Sequence, residues 1–355
     1  MADSQTPARP QRIHFIGIGG AGMSGIALVL HERGSAVSGS DLKTSRYIRQ
    51  LIRAGVDIHI GHDAATIDAV QPDVVVVSTA IPETNPELVR ARELGIPVWP
   101  RAKMLSELGR GYTTVAVAGT HGKTTSTSMM ALITMEAGLD PTVMVGSNLP
   151  AIGGTLRIGG IVEGYDTNGR NGSGAYFVAE ADESDRSFLY LDPDIAVVTN
   201  VEADHLDHYE SLDDIRETFA KFMTLVGEAG TVVVCGDDPS LAELARGTGR
   251  KVVTYGLTEG VDARCVPLPA QGIEGRCRVT LPDGSDQEQS RHAQPLERHG
   301  RARGRLVARP RCRRGRHGAL RVRGRAQALH ARGRCGGHHG RRRLRPPSHR
   351  GQGDP

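Results

Sequence analysis

The chain has 355 residues and a formal net charge of +4, values that by themselves indicate an ordinary globular protein of two or three domains. The small net charge conceals two unlike parts: residues 285–355 contain 20 Arg, no Lys and 4 acidic residues, a charge of +16, whereas residues 1–284 carry −12. The 5 cysteines form no CxxC pair and no apolar run reaches membrane-spanning length, which argues against a cysteine-based metal site and a transmembrane helix. The first dozen residues lack the apolar core of a signal peptide, so we expect a cytoplasmic protein with reduced thiols.

The first predicted unit is a βαβ nucleotide-binding fold. Hydrophobic periodicity predicts a strand over Arg12 to Ile18, a helix over Met23 to Glu32 and a second strand ending at Asp41. The glycine-rich turn between the first strand and the helix lets backbone N–H groups approach a phosphate, and Asp41 lies where a ribose-binding acid belongs. Such a turn can also be only a packing device. A buried strand over 73–81 and further helix and strand patterns extend the parallel α/β organisation to about residue 110.

A second unit opens with a phosphate-binding loop. A β-branched strand over Val115 to Ala118 precedes the loop sequence G-T-H-G-K-T-T, and a helix follows over Lys123 to Glu136 with Met130, Ile133 and Ala137 on one face. In such a loop the backbone cradles phosphates, Lys123 reaches the β/γ-phosphates, and the hydroxyl of Thr124 or Thr125 can bind Mg²⁺. The loop departs from the usual pattern because Val117 stands in place of the first glycine.

Acidic side chains follow two later strands. The first group, after a strand that starts near residue 175, consists of Glu180, Asp182, Glu183 and Asp185. The second group, after a strand that starts near residue 194, consists of Asn200, Glu202, Asp204, His205, Asp207 and His208. Because strands of a parallel sheet end at one edge, a metal site shared with the phosphate-binding loop is predicted there. Alternatively, some of these acids belong to a solvated surface. His205 and His121 could each have a structural role instead.

Four stretches in this order, HFIGIGGAGMSGIA, AGTHGKTT, EADESDRSFLYL and VVTNVEADHLDHY, closely resemble the Mur ligases of peptidoglycan synthesis. The resemblance covers roughly residues 12–284. It implies a Rossmann-like UDP-binding domain over 1–110, a central P-loop ATPase domain over 111–284, and a further domain that receives the amino acid. It also implies ATP-dependent joining of L-alanine to UDP-N-acetylmuramate through an acyl phosphate, with ATP and Mg²⁺ as cofactors.

Carried over position by position, the resemblance implies several overlapping sets of site residues. The catalytic residues would be Lys123, Glu180 and His205. The Mg²⁺ ligands would be Thr124, Glu180 and His205. The ATP contacts would be Gly119, Thr120, His121, Gly122, Lys123, Thr124, Thr125 and Asn200. The contacts of the UDP substrate would be Gly17, Gly19, Gly20, Ala21, Gly22, Met23 and Asp41. The loop over 163–174 looks like an additional surface excursion.

Residues 285–355 are expected to be disordered and out of frame. This segment contains no Ile, Phe, Tyr, Trp, Met, Asn or Thr, so it has little apolar surface to bury. Back-translation of Gly340 to Pro355 with the first base dropped allows V-V-D-D-Y-A-H-H-P-T-E-V-K-A-T, which resembles the family signature D-Y-A-H-H-P-x-E. The same shift turns Gln294 to His299 and Arg321 to His330 into family-like segments in family order. The C-terminal domain would then be lost and ligation absent from the 355-residue chain.

Three other functions are compatible with parts of the sequence. A Rossmann oxidoreductase would explain the first 110 residues but not the phosphate-binding loop or the acidic strand ends. A P-loop NTPase with a basic arm that binds nucleic acid would explain Lys123 and the Arg-rich segment, but not the first unit. Another Mur-type ligase would explain the same motifs. The oligomeric state is not encoded in any motif of the chain.

Overall fold

The computed structural model describes residues 10–146, 169–204, 208–271 and 274–292. These residues form two sheets with helices alongside, so the predicted α/β class is confirmed. No helix of the described residues is both long and apolar enough to cross a bilayer. The prediction that residues 293–355 are disordered, and with it the loss of a C-terminal domain, falls outside the described residues.

The first sheet is entirely parallel and has five strands. They are β1 (Arg12–Ile16), β2 (Ala36–Asp41), β3 (Asp57–Ile60), β4 (Val74–Val77) and β5 (Val98–Pro100). The helices of this part are α1 (Ala21–Glu32), α2 (Arg46–Ala54), α3 (Ala64–Val70), α4 (Pro86–Glu93) and α5 (Arg101–Gly109). The strand order is β3-β2-β1-β4-β5, so the order reverses between β1 and β4. A crevice at the carboxyl ends of strands is expected at such a reversal, and the glycine turn after β1 lies there.

The second sheet has ten strands and a parallel centre. Its strands are β6 (Thr113–Ala118), β7 (Thr142–Met144), β8 (Gly169–Arg170), β9 (Tyr176–Glu180), β10 (Ile195–Val198), β11 (Thr231–Cys235), β12 (Lys251–Gly256), β13 (Ala263–Gln271), β14 (Glu274–Thr280) and β15 (Asp286–His292). Its helices are α6 (Lys123–Glu136), α7 (Leu212–Thr224) and α8 (Pro239–Gly247), with a 3₁₀ helix over Ser187–Tyr190. The strand order is β15-β14-β13-β12-β11-β10-β6-β9-β7-β8. Strands β9 and β10 flank β6, so the two acidic strand ends lie on either side of the phosphate-binding loop.

Strands β4 and β10 are continuous apolar runs because helices cover both faces of a parallel sheet. In β6 the side chains of Val115, Ala116, Val117 and Ala118 are buried. Residues of both sheets belong to one compact unit. Arg33, at the end of α1, joins the sheets by donating hydrogen bonds to the Leu108 carbonyl oxygen, Asn171 Oδ1 and Thr142 Oγ1 at 2.9, 3.1 and 3.0 Å.

Two expectations about irregular segments are wrong in part. Disorder was expected from residue 285 onward, but β15 continues the sheet by antiparallel pairing with β14. The turn over 281–285 explains this, because Gly284 takes a φ of +77° and its N–H bonds to the Leu281 carbonyl oxygen. The loop over 163–174 was expected to be a surface excursion, yet β8 pairs with β7 and Arg170 is buried against Asp140. Residues 163–168 of that loop lie outside the described residues.

Candidate active site

The loop between β6 and α6 has the geometry of a phosphate cradle. Gly119 and Gly122 have φ angles of +138° and +84°, which other residues adopt only with strain, so the loop turns sharply at both glycines. Helix α6 begins at Lys123 as predicted, and its N-terminal N–H groups face the loop. An anion is favoured at this place by those groups and by the helix dipole.

Asn200 shapes the loop through its side chain. Asn200 Oδ1 accepts a hydrogen bond from the His121 N–H at 2.8 Å, and Asn200 Nδ2 donates to the His121 carbonyl oxygen at 3.0 Å. The Asn200 carbonyl oxygen also accepts from the Thr120 N–H at 3.1 Å. The His121 side chain is exposed, and its predicted contact with ATP stays a prediction. Asn200 therefore acts on the loop backbone, and its proposed contact with ATP stays a prediction.

Lys123 points back over the loop toward a buried acid. Its Nζ donates to the carbonyl oxygens of Gly119 and Thr120 at 2.8 and 3.3 Å and to Glu183 Oε1 at 2.6 Å. Glu183 is 2% exposed. Burial raises the pKa of the Glu183 carboxyl, and the neighbouring Lys123 only partly opposes that shift. The ammonium thus lies inside the loop, where the phosphates of a nucleotide would be bound.

Thr124 and Glu180 place a hydroxyl and a carboxylate next to each other at the start of α6. Thr124 Oγ1 donates to Glu180 Oε1 at 2.9 Å, and the Gly146 N–H donates to Glu180 Oε2 at 2.6 Å. A hydroxyl and a carboxylate fit Mg²⁺, which prefers oxygen ligands and keeps several waters. The alternative hydroxyl, that of Thr125, is exposed on the first turn of α6.

The other predicted metal ligands do not complete a cluster among the described residues. His205 and Asp207 lie outside them, so the proposed role of His205 stays a prediction. In the described ranges no group of three or more His, Cys, Asp and Glu side chains could hold a metal ion. Asp185 and Glu202 are exposed, in agreement with the solvated alternative for some of the acids. Asp182 Oδ2 instead lies 3.8 Å from a guanidinium nitrogen of Arg101.

The glycine turn of the first sheet is held by the strand beside it. The N–H groups of Gly17 and Ile18 donate to the Ser40 carbonyl oxygen at 2.9 and 3.0 Å, and the Gly19 N–H donates to Asp41 Oδ2 at 2.9 Å. Asp41 therefore contacts the turn itself, at the end of β2. Helix α1 starts at Ala21, directly after Gly20. Met23 is 2% exposed and belongs to the core, so its predicted contact with the UDP substrate stays a prediction.

Arg101 is a residue that the sequence motifs do not identify. It opens α5 and lies beside the glycine turn, because a Cβ added at Gly22 would be 2.7 Å from Arg101 Nη1. The same guanidinium lies 3.8 Å from the carboxylate of Asp182, in the loop that follows β9. One cation therefore lies between the glycine turn and the acidic loop that follows β9. Neither glycine spacing nor charge pattern could have located Arg101, which follows an ordinary short strand.

A buried polar cluster under the glycine turn was also missed. Glu87 Oε2 accepts hydrogen bonds from Ser40 Oγ and His62 Nδ1, and lies 3.8 Å from His14 Nε2. Burial raises the pKa of Glu87, but the nearby His14 ring and the hydrogen bonds from Ser40 and His62 outweigh that cost and lower the pKa overall. His14 Nδ1 contacts Ser38 Oγ at 2.9 Å. The cluster supports the end of β2, from which the Ser40 carbonyl oxygen holds the turn.

Comparison with known families accounts for both sheets. The Mur ligase family catalytic domain matches residues 12–113, and the Mur ligase middle domain matches residues 117–276. A UDP-N-acetylmuramate–L-alanine ligase from Geotalea daltonii is 47% identical over 74% of this chain and 54% of its own length. The enzyme of the same name from Mycobacterium leprae is 46% identical over 79% of this chain and 56% of its own. The chain thus spans about half the length of these curated relatives.

Solved structures show the same similarity. A UDP-N-acetylmuramate:L-alanyl-gamma-D-glutamyl-meso-diaminopimelate ligase from Neisseria meningitides is 30% identical, with a TM-score of 0.65, over 81% of this chain and 88% of that one. A UDP-N-acetylmuramate-alanine ligase from Thermotoga maritima is 28% identical, with a TM-score of 0.61, over 79% of this chain and 60% of that one. Both similarities extend across the two sheets described above.

Proposed function

The chain belongs to the Mur ligase family, and from that premise we propose that its two sheets are the UDP-substrate and ATP domains of a ligase that joins L-alanine to UDP-N-acetylmuramate in peptidoglycan synthesis. One observation carries the proposal: a relative named for this reaction is 47% identical over 74% of this chain. This activity would supply cell-wall precursor during growth and division. Because it consumes ATP, we place it in the cytoplasm.

The proposed chemistry makes a carboxylate reactive toward an amine. A free carboxylate is a poor electrophile, so the γ-phosphoryl group of ATP is first transferred to it, and the amine of alanine then displaces phosphate from the acyl phosphate. Lys123 neutralises charge on the group in transfer, which is the usual role of a lysine in this loop. The backbone between Gly119 and Gly122 orients the phosphates.

Thr124 and Glu180 would hold Mg²⁺, which supplies positive charge to the β/γ-phosphates when bound. His205 is proposed as a further ligand because of the family resemblance alone. The domain boundary proposed between residues 110 and 111 lies between α5 and β6. The UDP part of the substrate is proposed to bind at the turn Gly17 to Gly22, where Arg101 adds a positive charge beside the helix N-terminus.

Calorimetric titration of Mg·ATP into the 355-residue chain tests the cradle assignment. We expect binding by the wild type and a clear loss of affinity in Lys123→Ala. Lys221→Ala is the matched control, because Lys221 is exposed near the end of α7 and is also a lysine on a helix. Equal ATP affinities in all three proteins would contradict the proposal.

Equilibrium binding of UDP-N-acetylmuramate and of NADH tests the first domain separately. The proposal requires UDP-sugar binding that weakens in Arg101→Ala, with no measurable NADH binding. NADH binding without UDP-sugar binding would instead favour an oxidoreductase. Binding of duplex DNA in place of both ligands would favour the alternative of a nucleic-acid-binding NTPase.

A further inference from the structure

The Lys123 ammonium has no donor left for a nucleotide. A lysine ammonium has three N–H donors, and here they are directed to Glu183 Oε1 and to the carbonyl oxygens of Gly119 and Thr120. Lys123 must reach a phosphate oxygen if the P-loop is to bind ATP. At least one of the three present contacts therefore has to break when the nucleotide enters.

The backbone of Glu183 is held in place, which limits how far its carboxylate can follow the lysine. Its carbonyl oxygen accepts hydrogen bonds from the Tyr209 hydroxyl and from the Arg186 N–H, the latter at 3.0 Å. Tyr209 is 3% exposed, so the contact is enclosed. The Glu183 backbone is consequently fixed on the acidic loop, and separation of the pair requires rotation of the Lys123 or the Glu183 side chain.

Phosphate and carboxylate compete for the same cation. Both are anions, and a phosphate that approached the ammonium while Glu183 stayed in contact would meet like-charge repulsion in a site of low dielectric constant. The two loop carbonyls are neutral and cause no such repulsion. The contact that opposes ATP most strongly is thus the one with Glu183, at 2.6 Å the shortest of the three.

We propose that Glu183 is a positioning residue that holds Lys123 inside the phosphate-binding loop and is displaced from it by the phosphates of ATP. This inference rests on the proposed ATP site. The exchange leaves a buried carboxylate, and the magnesium ion that accompanies ATP brings positive charge to the same acidic loop. Burial already raises the pKa of Glu183, so its charge is weakly stabilised before the nucleotide arrives. Glu183 would keep the loop ordered and set the affinity for the nucleotide.

The test is calorimetric titration of Mg·ATP and of AMP into the wild type, Glu183→Gln and Asp185→Asn. Asp185 is the matched control because it lies on the same acidic loop, is exposed and carries the same charge. We expect Glu183→Gln to bind Mg·ATP about tenfold more tightly, the size of one charged hydrogen bond. Asp185→Asn should match the wild type. AMP affinity should not change, because AMP lacks the β/γ-phosphates that Lys123 reaches.

A double-mutant cycle with Lys123→Ala separates competition from a general charge effect. When Lys123 is absent, Glu183→Gln should change the Mg·ATP affinity less than twofold. A gain that persists without Lys123, or a Glu183→Gln variant that binds no more tightly than the wild type, overturns the inference. If Glu183→Gln does not fold, Glu183→Asp replaces it, since its shorter carboxylate withdraws from Lys123 and should also raise affinity. A wild type that binds no Mg·ATP refutes the proposed ATP site itself.

Discussion

Gly119 offers the sharpest prediction about the phosphate-binding loop. Its φ is +138°, and a Cβ at this position would lie 2.0 Å from Thr199 Oγ1 and 3.1 Å from the backbone nitrogens of Thr199 and Asn200. Thr199 Oγ1 cannot withdraw freely, because it donates to the His121 carbonyl oxygen at 2.6 Å. A side chain as small as alanine therefore cannot enter without a shift of the loop or of the segment after β10.

The cost of Gly119→Ala follows from these contacts. A non-glycine residue in this backbone region costs about 1–3 kcal/mol, and loss of the Thr199 hydrogen bond costs about 1 kcal/mol more. The free energy of unfolding should thus fall by about 2–4 kcal/mol. Mg·ATP affinity should fall at least tenfold, because the N–H groups of the loop no longer converge on one position.

Urea denaturation followed by circular dichroism measures the first effect, and calorimetry measures the second. Gly122→Ala is the matched control: its φ is +84°, but no atom lies within 4 Å of the added Cβ, so it carries backbone strain without the clash. In Gly119→Ala, a second change of Thr199 to Ala should recover part of the stability. Equal losses in Gly119→Ala and Gly122→Ala would refute the role assigned to the close approach.

Three further outcomes are expected. Lys123→Ala should weaken Mg·ATP binding by about 10- to 100-fold in calorimetry, the loss of one charge-assisted contact, and unaltered affinity would remove Lys123 from the site. Gly22→Ala should weaken UDP-N-acetylmuramate binding at equilibrium by displacing the Arg101 guanidinium, which a Cβ would approach to 2.7 Å; wild-type affinity would show that the guanidinium moves away freely. Hydrogen bonds from Ser173 lower the pKa of Asp140 to about 2. A lowered folded-state pKa stabilises the fold above the unfolded value near 4, and this contribution is lost as the pH falls toward 2. Acid titration of Asp140→Asn should therefore show a smaller loss of stability over that pH range than the wild type, and identical curves would contradict the assignment.

Short sequence patterns were enough to predict the phosphate-binding loop, several helices and strands, and the family. The start of α6 at Lys123 was predicted because glycine conformation and loop spacing act over a few neighbouring residues. The buried runs of β6 and β10 were equally readable, since a strand covered on both faces must be apolar along its length. The family followed from four such stretches in a constant order, each of which is contiguous in the chain.

Tertiary structure alone decided which side chains meet. The face of α6 with Met130 and Ile133 looked apolar, yet Ile133 is 53% exposed and the buried positions include Thr127 and Thr134. Both hydroxyls bond to carbonyl oxygens within the helix, which lets polar residues occupy the core side. Helical periodicity considers only the polarity of each residue. It therefore cannot predict that a buried Thr hydroxyl forms a hydrogen bond within its own helix.

The pairing of Lys123 with Glu183 has the same origin. Sequence pattern placed four acids after β9 but gave no means to rank them, because the choice depends on how the chain turns after the strand and on β9 lying next to β6. Arg101 stands beside the glycine turn because α5 begins at Arg101, directly at the carboxyl end of β5 in the same parallel sheet. Sequence thus determined the elements, the loop chemistry and the family. Contacts between residues far apart in the chain required the order of the strands, which no local pattern specifies.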